Sequence, residues 1–82
     1  MALYFFDFIN HAATQRDDTG TECASIDDVR RAARETLPHI AKDEIPTDGD
    51  RRFFTVVARD ESGRAVYTAT LAFAGMRLDE RP

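Results

Sequence analysis

The side chains best equipped for chemistry are Asp7, His11, Cys23 and His39. A cysteine nucleophile needs a neighbouring base or cation to lower its thiol pKa, so Cys23 with His11 or His39 is one arrangement to weigh. Asp7, His11 and Cys23 together make an alternative reading of the chain as an enzyme or small-ligand binder near the end of its first strand. No recognisable motif surrounds the cysteine, and the plainer expectation is a small, half-buried strand residue. A metal site built from His11, Cys23 and His39 lacks the short ligand spacings that zinc sites use. No catalytic residue, metal or other cofactor is therefore assigned from these residues.

Three acidic segments invite a calcium reading: Asp17-Asp18-Thr19-Gly20, Asp48-Gly49-Asp50 and Asp60-Glu61-Ser62-Gly63. A calcium loop needs about six oxygen ligands over about a dozen residues and a closing bidentate Glu. The last two segments do not supply that series, and turn chemistry accounts for them: Asp favours the first position and Gly admits positive φ. The turn at 17–20 resembles the one at 60–63, but the flanking residues differ, so this is shared turn chemistry and not an internal repeat. Arg30, Arg31 and Arg34, with Arg51 and Arg52 further on, suggest a basic patch, yet Asp27, Asp28 and Glu35 lie among the first three. A solvated, mixed-charge helix face is the expectation. Eleven basic against fifteen acidic side chains leave a net charge of −4, which opposes nucleic-acid binding. Ten of the eleven basic residues are Arg, a skew that G+C-rich coding produces without selection for phosphate contacts.

The elements that must position these residues are legible from their periodicity. Leu3 to Ile9 alternates as a central strand, with Tyr4, Phe6 and Phe8 on one side and Leu3, Phe5, Asp7 and Ile9 on the other. Thr21 to Ala24 reads as a brief second strand. Ser25, with Asp28 three residues on, marks a helix N-terminus. Ile26, Val29, Ala33, Leu37, Ile40 and Ala41 then recur at steps of three and four, an apolar stripe suited to lie on a sheet. Asp27 and Arg31 stand at the supportive spacing on the opposite side. Pro38 interrupts the helix and predicts a kink, but the stripe resumes in phase, favouring one bent helix that ends before Pro46. After a turn at 47–50, Phe53 to Asp60 and Ala65 to Ala74 form a hairpin. Pairing Asp60 with Ala65 puts Phe54, Val56 and Ala58 on the face of Tyr67, Ala69, Leu71 and Phe73, and a one-residue slip would scatter them.

With these residues in view, the chain resembles a family of small uncharacterised bacterial proteins, a domain of unknown function common in G+C-rich alphaproteobacteria. The resemblance rests on Tyr4-Phe5-Phe6-Asp7, on Asp17-x-x-Gly20-Thr21-Glu22 before the helix, on the Ala- and Arg-rich stretch from Val29 to Arg34, and on Asp60-x-x-Gly63-Arg64-x-Val66. It covers nearly the whole chain and resides in the order and spacing of these segments. Pro38 and Cys23 depart from the pattern. The resemblance implies no activity and no site residues.

At 82 residues the chain has room for one domain, expected over 1–75 with a frayed tail at 76–82. A chain of this size buries only about 60% of its unfolded surface, which argues against a large enclosed active site. A charged fraction of 32% and the absence of any long apolar run exclude a membrane span. The apolar opening lacks the basic region and long apolar core of a signal peptide, and the lone cysteine suits a reducing compartment, so a cytoplasmic location is expected.

The expected fold is α+β: a single antiparallel sheet, chain order β-β-α-β-β and strand order 2-1-3-4, with one long, kinked helix on one face. Order 2-1-4-3 is the alternative. The helix covers Tyr4, Phe6, Phe8, Phe54, Val56, Leu71 and Phe73. The opposite face still carries Leu3, Phe5, Ile9, Phe53, Val57 and Val66, an apolar patch of the kind that marks protein contacts. The functional expectation is a noncatalytic protein-interaction module, a homodimer through its helix-free sheet face or the partner of another small protein, with no nucleic-acid or membrane partner.

Overall fold

The computed structural model describes residues 1–10, 13–44 and 50–79. The elements are β1 (Ala2–Ile9), β2 (Thr14–Gln15), β3 (Thr21–Cys23), α1 (Ile26–Glu44), β4 (Arg51–Arg59) and β5 (Ala65–Ala74). The fold is α+β, with one helix and a single antiparallel sheet. The sheet path is β2-β1-β4-β5, and β3 also pairs with β1. It differs from the expected four-strand order by the two-residue strand β2, which turn-rich residues 10–20 gave no periodicity to reveal. β2 pairs with Phe8 and Ile9, and β3 with Ala2, Leu3 and Tyr4, so the two short strands occupy opposite ends of one edge of β1.

The hairpin register agrees with the alternation of its apolar residues. Phe54 faces Leu71, Val56 faces Ala69 and Ala58 faces Tyr67. Beyond Ala58 the register shifts, Arg59 pairing with Ala65, which leaves Val66 as the extra residue of a β-bulge. The turn that follows is held by Asp60: its Oδ1 accepts hydrogen bonds from the Ser62 hydroxyl at 2.6 Å and from the Ser62 and Arg64 amides at 3.0 Å. Gly63 supplies the positive φ of 90°.

Ser25 caps α1, its hydroxyl accepting from the Asp28 amide at 3.3 Å, while the Asp28 carboxylate reaches back to the Ala24 amide at 3.1 Å. Arg31 pairs with Asp28 at 3.2 Å and not with the expected Asp27. The helix runs through the exposed Pro38 to Glu44 as one continuous element. Two residues before Pro38, Thr36 donates its hydroxyl to the Ala32 carbonyl at 2.8 Å, so two features that bend helices fall together. Val29, Ala33, Leu37 and Ala41 are buried, whereas Ile26, expected in the same stripe, is exposed in the first turn.

The core lies between α1 and the sheet. Phe8, Ala33, Leu37, Ala41, Phe54 and Val56 form its larger part, with the Phe8 and Phe54 rings stacked at 6.2 Å. Cys23, Val29 and Ala58 form a second cluster, against which Val66 packs. Bulging therefore brings Val66 to the helix side and removes it from the helix-free face where strict alternation would set it. The tail is described only to Asp79, where Arg77 and Asp79 form an exposed ion pair at 2.7 Å. The expected turn at 47–49 lies outside the described residues.

Candidate functional site

The helix-free face is built from the odd-numbered positions of β1 and β4 and the even-numbered positions of β5. The observed register sets Asp7 beside Val57 and Thr68, Ile9 beside Thr55 and Thr70, and Phe53 beside Ala72. The Thr55 and Thr70 hydroxyls hydrogen-bond at 2.8 Å across the β4–β5 ladder. Phe53 is 62% exposed at the end of this uncharged strip.

One ion pair closes the other end. Arg59 donates from Nε to Asp7 Oδ2 at 2.7 Å and from Nη2 to Asp7 Oδ1 at 3.0 Å, a two-pronged geometry that matches the guanidinium to the carboxylate. Both side chains are largely buried, at 14% and 12% exposure. Asp7 Oδ1 also accepts from the Asp17 amide at 3.0 Å, and Arg59 Nη2 donates to the Asp17 carbonyl at 3.2 Å. The hydrogen bonds from Arg59 hold the Asp7 carboxyl below its usual range against the opposing effect of burial.

Asp17 repairs the gap that the two short edge strands leave on β1. The Phe6 amide lies between the stretches paired with β2 and β3, and it donates to Asp17 Oδ2 at 3.0 Å. The other oxygen of Asp17 accepts from the Thr19 and Gly20 amides at 3.0 and 3.1 Å, which forms the turn. Burial pushes the Asp17 pKa up, but these three amides outweigh it and hold the group in its charged form. Gly20, at φ 82°, passes so close to β1 that a Cβ there would meet Leu3 Cγ at 2.9 Å and Phe5 Cε1 at 3.0 Å. Phe5 is further covered by the Arg59 guanidinium, 5.2 Å from its ring centre.

The six apolar residues expected on this face thus separate into three groups. Leu3 and Phe5 lie partly under the 17–20 turn and Arg59, Val66 packs on the helix side, and Ile9, Phe53 and Val57 remain on the open surface. The Asp7–Arg59 pairing escaped the sequence reading because nothing local links residues 52 positions apart. A signal was present in the expected topology: two opposite charges on the same face of neighbouring strands, each among apolar neighbours.

The residues of the enzyme alternative are not assembled. Asp7 lies on the helix-free face and is committed to Arg59, whereas Cys23 is buried in a cluster on the helix side, at the other end of β1. Burial and the nearby Asp28 charge push the Cys23 thiol up, opposite to what a nucleophile needs. His39 is exposed ten residues along α1 from Val29, the helical neighbour of Cys23, a rise of about 15 Å. His11 lies outside the described residues. Among the described residues no group of three or more His, Cys, Asp or Glu side chains is placed to hold a metal. Arg30, Arg31 and Arg34 border a shallow hollow with Asp27 and Glu35, a mixed-charge helix surface. No helix of the described residues is long and apolar enough to cross a membrane.

No curated protein and no solved structure shows a significant match to the chain. The family model of the domain of unknown function DUF6894 matches residues 3–72, the span that holds β1 through most of β5, together with Asp7, Asp17 and Arg59, and the chain belongs to that family.

Proposed function

We propose that the protein is a noncatalytic interaction module that self-associates through its helix-free sheet face. The observation that carries this reading is the chemistry of the open strip formed by Ile9, Phe53, Thr55, Val57, Thr68, Thr70 and Ala72. A solvated sheet face is normally polar throughout, whereas this strip sets Ile9, Phe53 and Val57 among three threonines and carries no charge between Phe53 and the mutually neutralised Asp7–Arg59 pair. Phe53, 62% exposed, is the sort of aromatic anchor that interfaces bury at their centre. The displaced Val66 and the partly covered Leu3 and Phe5 confine the surface to the end of the sheet that carries Ile9 and Phe53.

Sedimentation of the parent protein against Phe53→Glu tests the reading. Phe53 makes no part of the buried core, so the substitution acts on assembly before it acts on folding. The expected result is a parent that associates by burying about 800 Å² per subunit on this face and a folded variant that has lost this contact and sediments as a smaller species. A parent that stays monomeric at high micromolar concentration and binds no partner through this face refutes the assignment.

A further inference from the structure

A second surface is set by backbone chemistry. Among the described residues β5 is the last strand of the sheet and pairs only with β4, so one side of its main chain has no described strand beside it. The opposite edge is treated differently: β2, β3 and the Asp17 carboxylate together occupy the outer side of β1. Exposed edges are usually protected by charge, proline or a bulge. β5 contains no charged residue and no proline, and its bulge at Val66 sits at the hairpin end, leaving Tyr67–Ala74 as a regular edge.

Burial falls off in the same direction. On the helix side, Phe54, Val56 and Ala58 of β4 are 0%, 1% and 0% exposed, while their β5 neighbours Leu71, Ala69 and Tyr67 are only half-buried. The missing cover is beside β5, in the plane of the sheet. We propose that this edge pairs antiparallel with β5 of a second copy of the chain. The two-fold axis passes through Thr70 and joins the two sheets into one.

This register makes the strand complementary to itself. Thr70 meets Thr70, Thr68 meets Ala72, Ala69 meets Leu71, and Tyr67 meets Phe73. Each pair keeps its own face of the joined sheet, because directly opposed residues of an antiparallel pair point the same way. The helix side gains two aromatic cross-strand pairs and matches the large Leu71 to the small Ala69. No charge opposes its own image across the axis. The helices of both copies lie on one side of the joined sheet. This interface is distinct from the helix-free face and stands without it.

Thr70 also lies on the helix-free strip, so its two variants of opposite charge are made in the Phe53→Glu background, where that face no longer associates. Thr70→Lys and Thr70→Asp are each expected to weaken dimerisation at least about tenfold, since each sets like charges face to face on the axis, and mixing the two restores a heterodimer. In the parent protein, β5 amides are expected to exchange at least about tenfold more slowly at dimer-forming than at dilute concentration, and Phe53→Glu leaves that protection in place. A monomeric parent at several hundred micromolar overturns the proposal. A dimer that is lost in Phe53→Glu, and whose β5 amides exchange equally fast at both concentrations, also overturns it and assigns assembly to the helix-free face. If the Lys and Asp variants fail to recombine, the Thr70 register is overturned.

Discussion

Asp7 and Arg59 meet through two hydrogen bonds of 2.7 and 3.0 Å, and the same carboxylate oxygen that takes the longer one also accepts the Asp17 amide. A charge pair this well buried ties β1, β4 and the 17–20 turn to one another. Breaking one side of such a pair costs more than the pair contributes, because the remaining charge keeps its burial and loses its compensation.

A double-mutant cycle with Asp7→Asn and Arg59→Leu is therefore expected to be strongly non-additive. Each single change lowers the denaturation midpoint, and the double variant is more stable than the sum of the two losses implies. Additive losses in urea denaturation would show that the two residues act separately. Arg64→Ala, at an exposed position beside the hairpin turn, serves as the control with little effect.

Acid should unfold the protein through the same groups. Asp7 and Asp17 are both held below the ordinary aspartate value, so in the folded state they release protons more readily than when unfolded. Their stabilisation is complete above the unfolded pKa of about 3.9 and is lost as pH falls through the lower folded values. The expected result is a steep loss of thermal stability below about pH 4, with a shallower loss in Asp7→Asn. An equally steep acid limb in that variant would assign the transition to other carboxylates.

Two glycines with similar backbone angles should respond differently to alanine. Gly20 and Gly63 have φ of 82° and 90°, but a Cβ at Gly63 meets nothing, whereas at Gly20 it presses on Leu3 and Phe5. Gly63→Ala should cost about 1–2 kcal/mol from the left-handed backbone alone. Gly20→Ala should cost about 2–4 kcal/mol, since overpacking adds to the same backbone penalty. Equal losses in chemical denaturation would show that the 17–20 turn moves off β1 freely.

Core truncations should separate the centre of the sheet from its edge. Phe54→Ala removes a fully buried ring stacked on Phe8 and should cost about 3–5 kcal/mol. Leu71→Ala, at its cross-strand neighbour on the half-covered edge, should cost about 1–2 kcal/mol in the monomer, where less surface is withdrawn from water. The comparison is read at dilute concentration, and a Leu71 loss as large as that of Phe54 would mean that α1 covers both strands equally.

Much of the architecture was legible in local periodicity. The alternation of Tyr4, Phe6 and Phe8, the helical stripe of Val29, Ala33, Leu37 and Ala41, and the Ser25 cap each follow from forces acting within a few residues, and the hairpin pairing followed from matching two alternating strands. Apolar residues at period two or near three and a half can be buried in only one way, so the pattern specifies the element and the face together. The DUF6894 family model covers residues 3–72, nearly the whole of this architecture.

What tertiary structure alone decided concerns groups whose partners are distant in the chain. The extra edge strand at Thr14–Gln15 exists because β1 offers it unpaired amides, not because two polar residues favour a strand. Asp17 resembles Asp60 as a turn residue, and only the β1 gap beside it turns its second oxygen into a stand-in for a missing strand. Val66 left its expected face because one extra residue in β5 had to be absorbed where the hairpin tightens toward its turn. Asp7, a candidate catalytic group by residue type, is neutralised by Arg59 across the sheet. Periodicity reports which way a side chain points, while hydrogen bonding and charge compensation depend on what the folded chain brings to meet it.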